Sequence, residues 1–211
     1  QFNNVISVPG IEVAWNQIIN QPYNSEMEDN INIYETSGTL TSHLLVHDNY
    51  VQGAFGAIPG QFPQTYSGGG IITDGNAQTS YVDIYNNQVV SSANYGIAIG
   101  AGINVLVKQN RVVSSGYVIN PANQQPTLIP LNDAGSYYND SGIRGTPDQI
   151  AALNDEITNN YGCMVGRDSS DPTGKTAKLT NWGLWVPDQN DKGVTNTLCK
   201  TAPTMADEAN E

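Results

Sequence analysis

Val82–Ala93 reads VDIYNNQVVSSA and Val105–Gly116 reads VLVKQNRVVSSG. Aligned on Asn87 and Asn110, the two stretches share one frame. Apolar residues stand five and three places before each asparagine: Val82 and Ile84, then Val105 and Val107. Others stand two and three places after: Val89 and Val90, then Val112 and Val113. The frame also fits Asn16, with Ile11, Val13, Ile18 and Ile19, and more loosely Asn49, with Leu44, Val46 and Val51. Alternation with a period of two and β-branched residues predicts strands on both sides of each asparagine. The asparagine itself is expected to make a sharp corner, since Asn tolerates the left-handed conformation. A second phrase recurs between these corners: INIY at Ile31, GIITD at Gly70 and GIAIG at Gly96.

Each unit is therefore strand, Asn corner, strand, connection, strand. The corners recur after 33, 38 and 23 residues, within the range of solenoid repeats. Such short strands cannot bury a core alone, but stacked at about 4.7–4.9 Å they pair with the units above and below. The expected fold is all-β: a right-handed parallel β-helix with a short helix and an irregular C-terminal region. A β-sandwich is the alternative, although it has no reason to repeat this frame. The frame and its interleaved G-I-x-I strands resemble the repeats of the pectate-lyase-like superfamily. EDNINIYETSGT (Glu28–Thr39), SGGGIITDG (Ser67–Gly75) and NYGIAIGAG (Asn94–Gly102) look like phrases of bacterial secreted β-helix proteins of poorly defined function. The resemblance covers roughly residues 1–120. It implies a fold whose members cleave, epimerise or bind polysaccharides, or are structural, and the fold alone does not choose among these.

Composition narrows the partners. Eight Lys and Arg stand against 20 Asp and Glu, a net charge of −12 over 211 residues. That argues against nucleic acid, whose phosphates need a basic surface. No apolar run is long enough to cross a bilayer. Only 13% of residues are charged, there are 21 glycines, and Asn, Ser and Thr are abundant. This neutral polar surface suits a secreted or cell-surface protein. The two cysteines, Cys163 and Cys199, permit one disulfide or two free thiols, and an oxidising setting favours the bridge.

Residues 1–135 are read as β-helix coils. QFNNVISV at the start already has repeat character, so the solenoid is expected to continue upstream of residue 1. Residues 136–211 are read as a C-terminal coil and capping region. GTPDQIAALNDEITNN carries Thr146 as N-cap, Pro147 at the first helical position and Gln149 closing a capping box, which predicts a helix near 147–157. NWGLWVPDQND, with Trp182 and Trp185, is expected to pack on the last coil. The acidic TMADEANE end is expected to fray.

Connections carry the functional expectation. The excursions after the Asn16 and Asn49 corners are long, the one after Asn87 is short, and a long segment follows at Tyr117–Leu131. All leave from one corner, so they should form walls with a dip over the third coil. Tyr95 beside Gly96 should floor that dip, with Phe62 and Tyr66 from one wall and Tyr117 from the other. Aromatic faces with neutral amides suit sugar rings; the alternative for each aromatic is that it packs its loop onto the solenoid. Lys108 and Arg111 bracket Asn110 as a small basic spot for an acidic sugar, or pair with Asp83.

Superfamily members use acidic residues on stacked strands to hold calcium or as acid and base. The resemblance therefore implies Glu28, Asp29 and Asp74 as candidate catalytic or metal-binding groups, with calcium as the cofactor. The alternative is a solvated acidic loop in which Asp29 caps a turn. The N-T-D…D-D…G-H-G set of polygalacturonases is absent from the sequence, as is a pectate-lyase Arg/Lys constellation. His43 and His47, at i and i+4 on one strand, stand about 13 Å apart at ~3.3 Å per residue and cannot share a metal. His47, beside Asp48 and on the outward face, is a candidate base. The expected function is an extracellular carbohydrate-binding or polysaccharide-processing module; as an enzyme it would be a lyase, hydrolase or epimerase. The alternative is a structural rod or filament subunit, able to self-associate end to end through an uncapped solenoid end.

Overall fold

The computed structural model describes residues 1–60, 68–129, 154–167, 170–171, 173, 175–179 and 196–211. The first rung is β1 (Phe2–Asn3), β2 (Glu12–Ala14) and β3 (Gln17–Ile19). The second is β4 (Asp29–Tyr34), β5 (Leu44–His47) and β6 (Tyr50–Ala54). The third is β7 (Gly69–Asp74), β8 (Ser80–Tyr85) and β9 (Gln88–Ser92), and the fourth is β10 (Tyr95–Ile99), β11 (Ile103–Lys108) and β12 (Arg111–Ser114). Each strand pairs in parallel with its counterpart one rung away, giving sheet A (β1-β4-β7-β10), sheet B (from β2 through β5 and β8 to β11) and sheet C (from β3 through β6 and β9 to β12). The described part of the chain is thus all-β with mostly parallel sheets, compatible with the expected solenoid. No helix among the described residues is long and apolar enough to cross a membrane.

The strands form because their β-branched side chains alternate faces, and parallel register then piles like on like. Val13, Val46, Ile84, Val107 and Ile157 make one inward column across sheet B. Ile18, Val51, Val89 and Val112 make one in sheet C, and Ile31, Ile71 and Ile97 one in sheet A. These columns meet in a single apolar core. Gly70 and Gly96 lead their strands for a packing reason: a Cβ on Gly70 would strike Val89, and one on Gly96 would strike Val112. The missing side chain of Gly96 makes room inside the core, where it was expected to open an outer floor.

The asparagine corners work differently from expectation. The residue before each ladder asparagine takes the left-handed conformation: Trp15 (φ 59°), Asp48 (φ 51°), Asn86 (φ 54°), Gln109 (φ 56°) and Asn159 (φ 56°). The asparagine hydrogen-bonds instead. Asn16 donates its backbone N–H (3.1 Å) and its Nδ2 (2.9 Å) to Asn49 Oδ1, and Asn49 Nδ2 donates back to Val13 O (2.8 Å). Asn49 repeats this with Asn87, and Asn87 with Asn110. The chain of bonds continues from Asn110 to Asn160 and from Asn160 to Asn196. Asn49, Asn87, Asn110 and Asn160 are buried with their amides bonded, as buried polar groups require.

The ladder thus runs beyond the frame read from sequence. After the antiparallel hairpin β13 (Tyr117–Asn120) and β14 (Gln125–Leu128), β15 (Glu156–Thr158) pairs with β11, and β16 (Tyr161–Arg167) pairs with β12. β17 (Ala177–Leu179) joins β16 antiparallel, and β18 (Thr197–Leu198) joins it in parallel. Of the helix expected near 147–157, residues 147–153 lie outside the described residues, and Glu156 and Ile157 are strand. The capping signal there competes with Ile157, which is buried in the shared core. Trp182 and Trp185 also lie outside the described residues. Cys163 and Cys199 are disulfide-bonded, Cα to Cα 5.2 Å. The acidic end is ordered as helix α1 (Met205–Ala209), where fraying was expected. Thr204 caps it: its hydroxyl accepts from Asp207 N–H, and Asp207 accepts from Thr204 N–H (2.7 Å). Glu208 accepts from Ser115 N–H (2.6 Å), and Arg111 pairs with Glu211, which holds the helix on the outer face of sheet C.

Candidate functional site

The expected dip over the third rung is closed. The excursion after β6 and the hairpin lean together, and Phe55, Ala93, Val118 and Ile129 form a small apolar core between them. Gly60 (φ 85°) lies so close to the hairpin that a Cβ there would strike Thr127. Tyr95, expected as an open platform, is only 4% exposed and packs with Ile72 and Ala98. Its ring has no free face for a sugar: it lies against Gly69 and its hydroxyl is bonded to Asp29. Phe62 and Tyr66 lie outside the described residues.

The acidic candidates separate. Asp29 starts β4 and Asp74 ends β7; in register Asp29 faces Gly69 and Asp74 faces Tyr34. Five residue steps at ~3.3 Å part their backbones by about 16 Å, although Glu28 and Asp74 still lie near enough to help raise the Asp29 carboxyl. Asp29 accepts the Tyr95 hydroxyl hydrogen bond and a second from Asn32 Nδ2 (2.9 Å). Burial raises its carboxyl above the usual range, against the pull of those two bonds, and burial together with Asp29 pushes the Tyr95 phenol up. Glu28 is exposed, and Asp74 Oδ1 accepts from Gly75 N–H (2.8 Å). Glu28, Asp29 and Asp74 therefore form no calcium cage, and among the described residues no group of three His, Cys, Asp or Glu could hold a metal ion.

The basic pair also separates. Lys108 ends β11 on sheet B, with its ammonium 5.5 Å from the Tyr85 ring. Arg111 begins β12 on sheet C, 4.2 Å over the Tyr161 ring, and its charge is taken by Glu211. The corner between the two sheets turns them onto different faces. Asp83 pairs with His43 (2.8 Å) rather than with either of them.

What converges is the outer face of sheet B. His47, expected on the outward face, is only 7% exposed. Parallel register places it beside Tyr85, and the rings stack at 4.7 Å with planes 8° apart. Its Nδ1 meets Asp48 (2.7 Å) and its Nε2 meets Glu12 (2.8 Å). The two carboxylates sit on opposite nitrogens of the ring and so cannot share one ion with it. Trp15 packs edge-on at 6.3 Å from the His47 ring while remaining 77% exposed, because its left-handed backbone turns the side chain out of the sheet. Further along the strands a hollow opens among Leu40, His43, Tyr81, Asp83, Asn104 and Glu156. Asp83, Leu106 and Glu156 occupy one column, so the two acidic residues are two strand spacings apart, about 9.5 Å along the backbone.

Sequence reading missed Trp15, Glu12, Tyr81, Asp83 and Glu156 as a group. The frame held the signal: positions four before each ladder asparagine are Glu12, Leu45, Asp83, Leu106 and Glu156, and they fall on one outward column. A second depression, of about 310 Å³, lies on sheet C between the hairpin and α1, and Tyr117 lines it. Comparison with protein-family models, with curated proteins and with solved structures returned no match.

Proposed function

We propose that the chain forms a right-handed parallel β-helix of an extracellular protein and that the outer face of its sheet B binds a glycan chain. The observation that carries this reading is Trp15, exposed at the rim of a flat, hydrogen-bonding face. Large exposed aromatics are costly unless something covers them, and an indole presents a rigid apolar plane to the C–H face of a sugar ring. Beyond it, Asp83, Glu156, Asn104 and Tyr81 offer acceptors and donors for hydroxyl edges. The handedness follows the strong preference of parallel crossover connections for the right-handed path. Secretion is supported by the charge-poor, Asn- and Gly-rich surface and by the disulfide.

A glycan array, followed by titration calorimetry on the best binder, tests the reading. Trp15→Ala is expected to weaken binding about tenfold, equivalent to ~1.4 kcal/mol, with the spectrum of the folded protein unchanged. If the folded protein binds no glycan, or if Trp15→Ala binds as well as the parent, the structural-rod reading takes its place. That reading has its own support in the unbroken asparagine ladder, a device for stacking rungs that needs no ligand.

A further inference from the structure

Between the hairpin and α1, the depression on sheet C has an unusual charge balance. Its polar side chains are Asn20, Gln52, Ser91, Tyr117 and Glu208, and its apolar lining includes Pro22, Ile119 and Met205. Among the described residues, Glu208 is the one residue of that lining with a formal charge, and no Lys or Arg is among them. The nearest basic group on the neighbouring strand, Arg111, is committed to Glu211 and stacked on Tyr161. Glu208 accepts from Ser115, at its backbone N–H and at its side chain. A carboxylate partly removed from water, beside an aromatic ring and with no basic residue in the lining, favours a cation in the ligand.

We propose that this cleft binds a small molecule bearing a primary ammonium group, with the ammonium on the Glu208 carboxylate and against the Tyr117 ring. Asn20 and Gln52 would meet hydroxyl or amide groups on the rest of the ligand, and Pro22, Ile119 and Met205 its apolar part. An amino sugar and a simple alkyl diamine share this chemistry. The site is separate from the sheet B face and stands whether or not that face binds glycan.

Protonation is coupled to such binding. Burial pushes the Glu208 carboxyl up to about 7, against the Ser115 hydrogen bonds that lower it. Among the described residues, Asp207 and Glu211 beside it, Arg111 on β12, Tyr161 on β16, Tyr50 on β6 and Tyr117 on β13 are the other charged or titratable groups around α1; Tyr50 is itself pushed up by burial and by Glu211 and Glu208. Below neutrality the acid must lose its proton before it can pair: the carboxylic acid and the ammonium give the ion pair and one released proton. For cadaverine, whose amines stay protonated throughout, affinity is therefore expected to fall about tenfold between pH 8 and pH 6, and the proton released should appear as a buffer-dependent heat.

Titration calorimetry with glucosamine, N-acetylglucosamine and cadaverine tests this. Glucosamine or cadaverine should bind at pH 8, and N-acetylglucosamine, which has lost the charge, should not. Binding by glucosamine alone marks an amino sugar, and binding by cadaverine alone marks a plain amine. Glu208→Gln should reduce amine binding at least tenfold. Gln resembles the neutral acid and so keeps α1 docked, which circular dichroism and thermal unfolding check. Tyr117→Leu should weaken binding severalfold. Binding of N-acetylglucosamine as tight as that of glucosamine, no binding of either amine, or binding unchanged in Glu208→Gln would overturn the proposal.

Discussion

The fourth rung and the one after it make the same corner from different residues. At Asn110 the preceding strand is Val105 and Val107; at Asn160 the matching positions are Asp155 and Ile157. Both asparagines donate a backbone N–H and an Nδ2 to the next amide in the ladder, and both return Nδ2 to a carbonyl one rung back. Asp155 is fully buried where the frame has valine, and its Oδ1 accepts from Val105 N–H (2.8 Å). The corner therefore tolerates loss of an apolar frame residue, provided the replacement gives its hydrogen-bonding groups partners. The asparagine and its bonds are what both corners keep.

The largest expected effect breaks that rule at its centre. Asn110→Ala leaves the N–H and Nδ2 of Asn87 without their acceptor, and Ile84 O without its donor. Buried groups orphaned in this way cost about 1–3 kcal/mol each, so the variant should lose roughly 3–5 kcal/mol. Asn16→Ala, at an exposed position, should lose under about 1 kcal/mol. Chemical denaturation measures both, and equal losses would refute the role given to the ladder. A second test separates the two rungs. Only the later one carries the disulfide, whose sequence separation is 36. Cys199→Ser is expected to cost about 3–4 kcal/mol in the loop-entropy treatment. If its unfolding midpoint matches that of the oxidised parent, the bridge adds nothing to the pairing of β16 with β12. The smallest effect sharpens the comparison. Gln109 and Asn159 hold equivalent left-handed positions, and both are exposed. Gln109→Gly should stabilise by about 0.5–1 kcal/mol, since glycine takes that conformation without strain. Asn159→Gly should gain less, because asparagine already tolerates it. Equal gains at both corners would mean that side-chain type is irrelevant there.

These corners also show why part of the molecule was legible. The column of Val46, Ile84 and Val107 could be read because period-two alternation survives in the letters of each strand. The corner conformation was assigned one residue too late, since the periodicity locates a break in the strand but not which residue turns. Asn160 was missed because Asp155 and Gly162 interrupt the apolar frame, although the amide at its centre is intact. At the candidate sites, Tyr117 lines a cleft beside α1 instead of the expected dip, while Tyr95 and His47 turned out buried. Local sequence shows a residue's own face of a strand. It does not show what a neighbouring rung, a hairpin or a distant helix lays over that face.

What the sequence alone determined is the repeating inward pattern and the amide at each turn from Asn16 to Asn110, because both are local and recur through the first four rungs. What only the tertiary structure decided is which outward residues meet. Trp15, His47 and Tyr85 are far apart in the chain; parallel register sets His47 beside Tyr85 on one side and beside Ala14, the residue before Trp15, on the other. Ser115 and Glu208 lie 93 residues apart, and their contact exists because α1 docks on sheet C. Such contacts depend on the length and path of the connections between rungs. Those are set by the packing of the whole chain, not by the alternation of residues within any one strand.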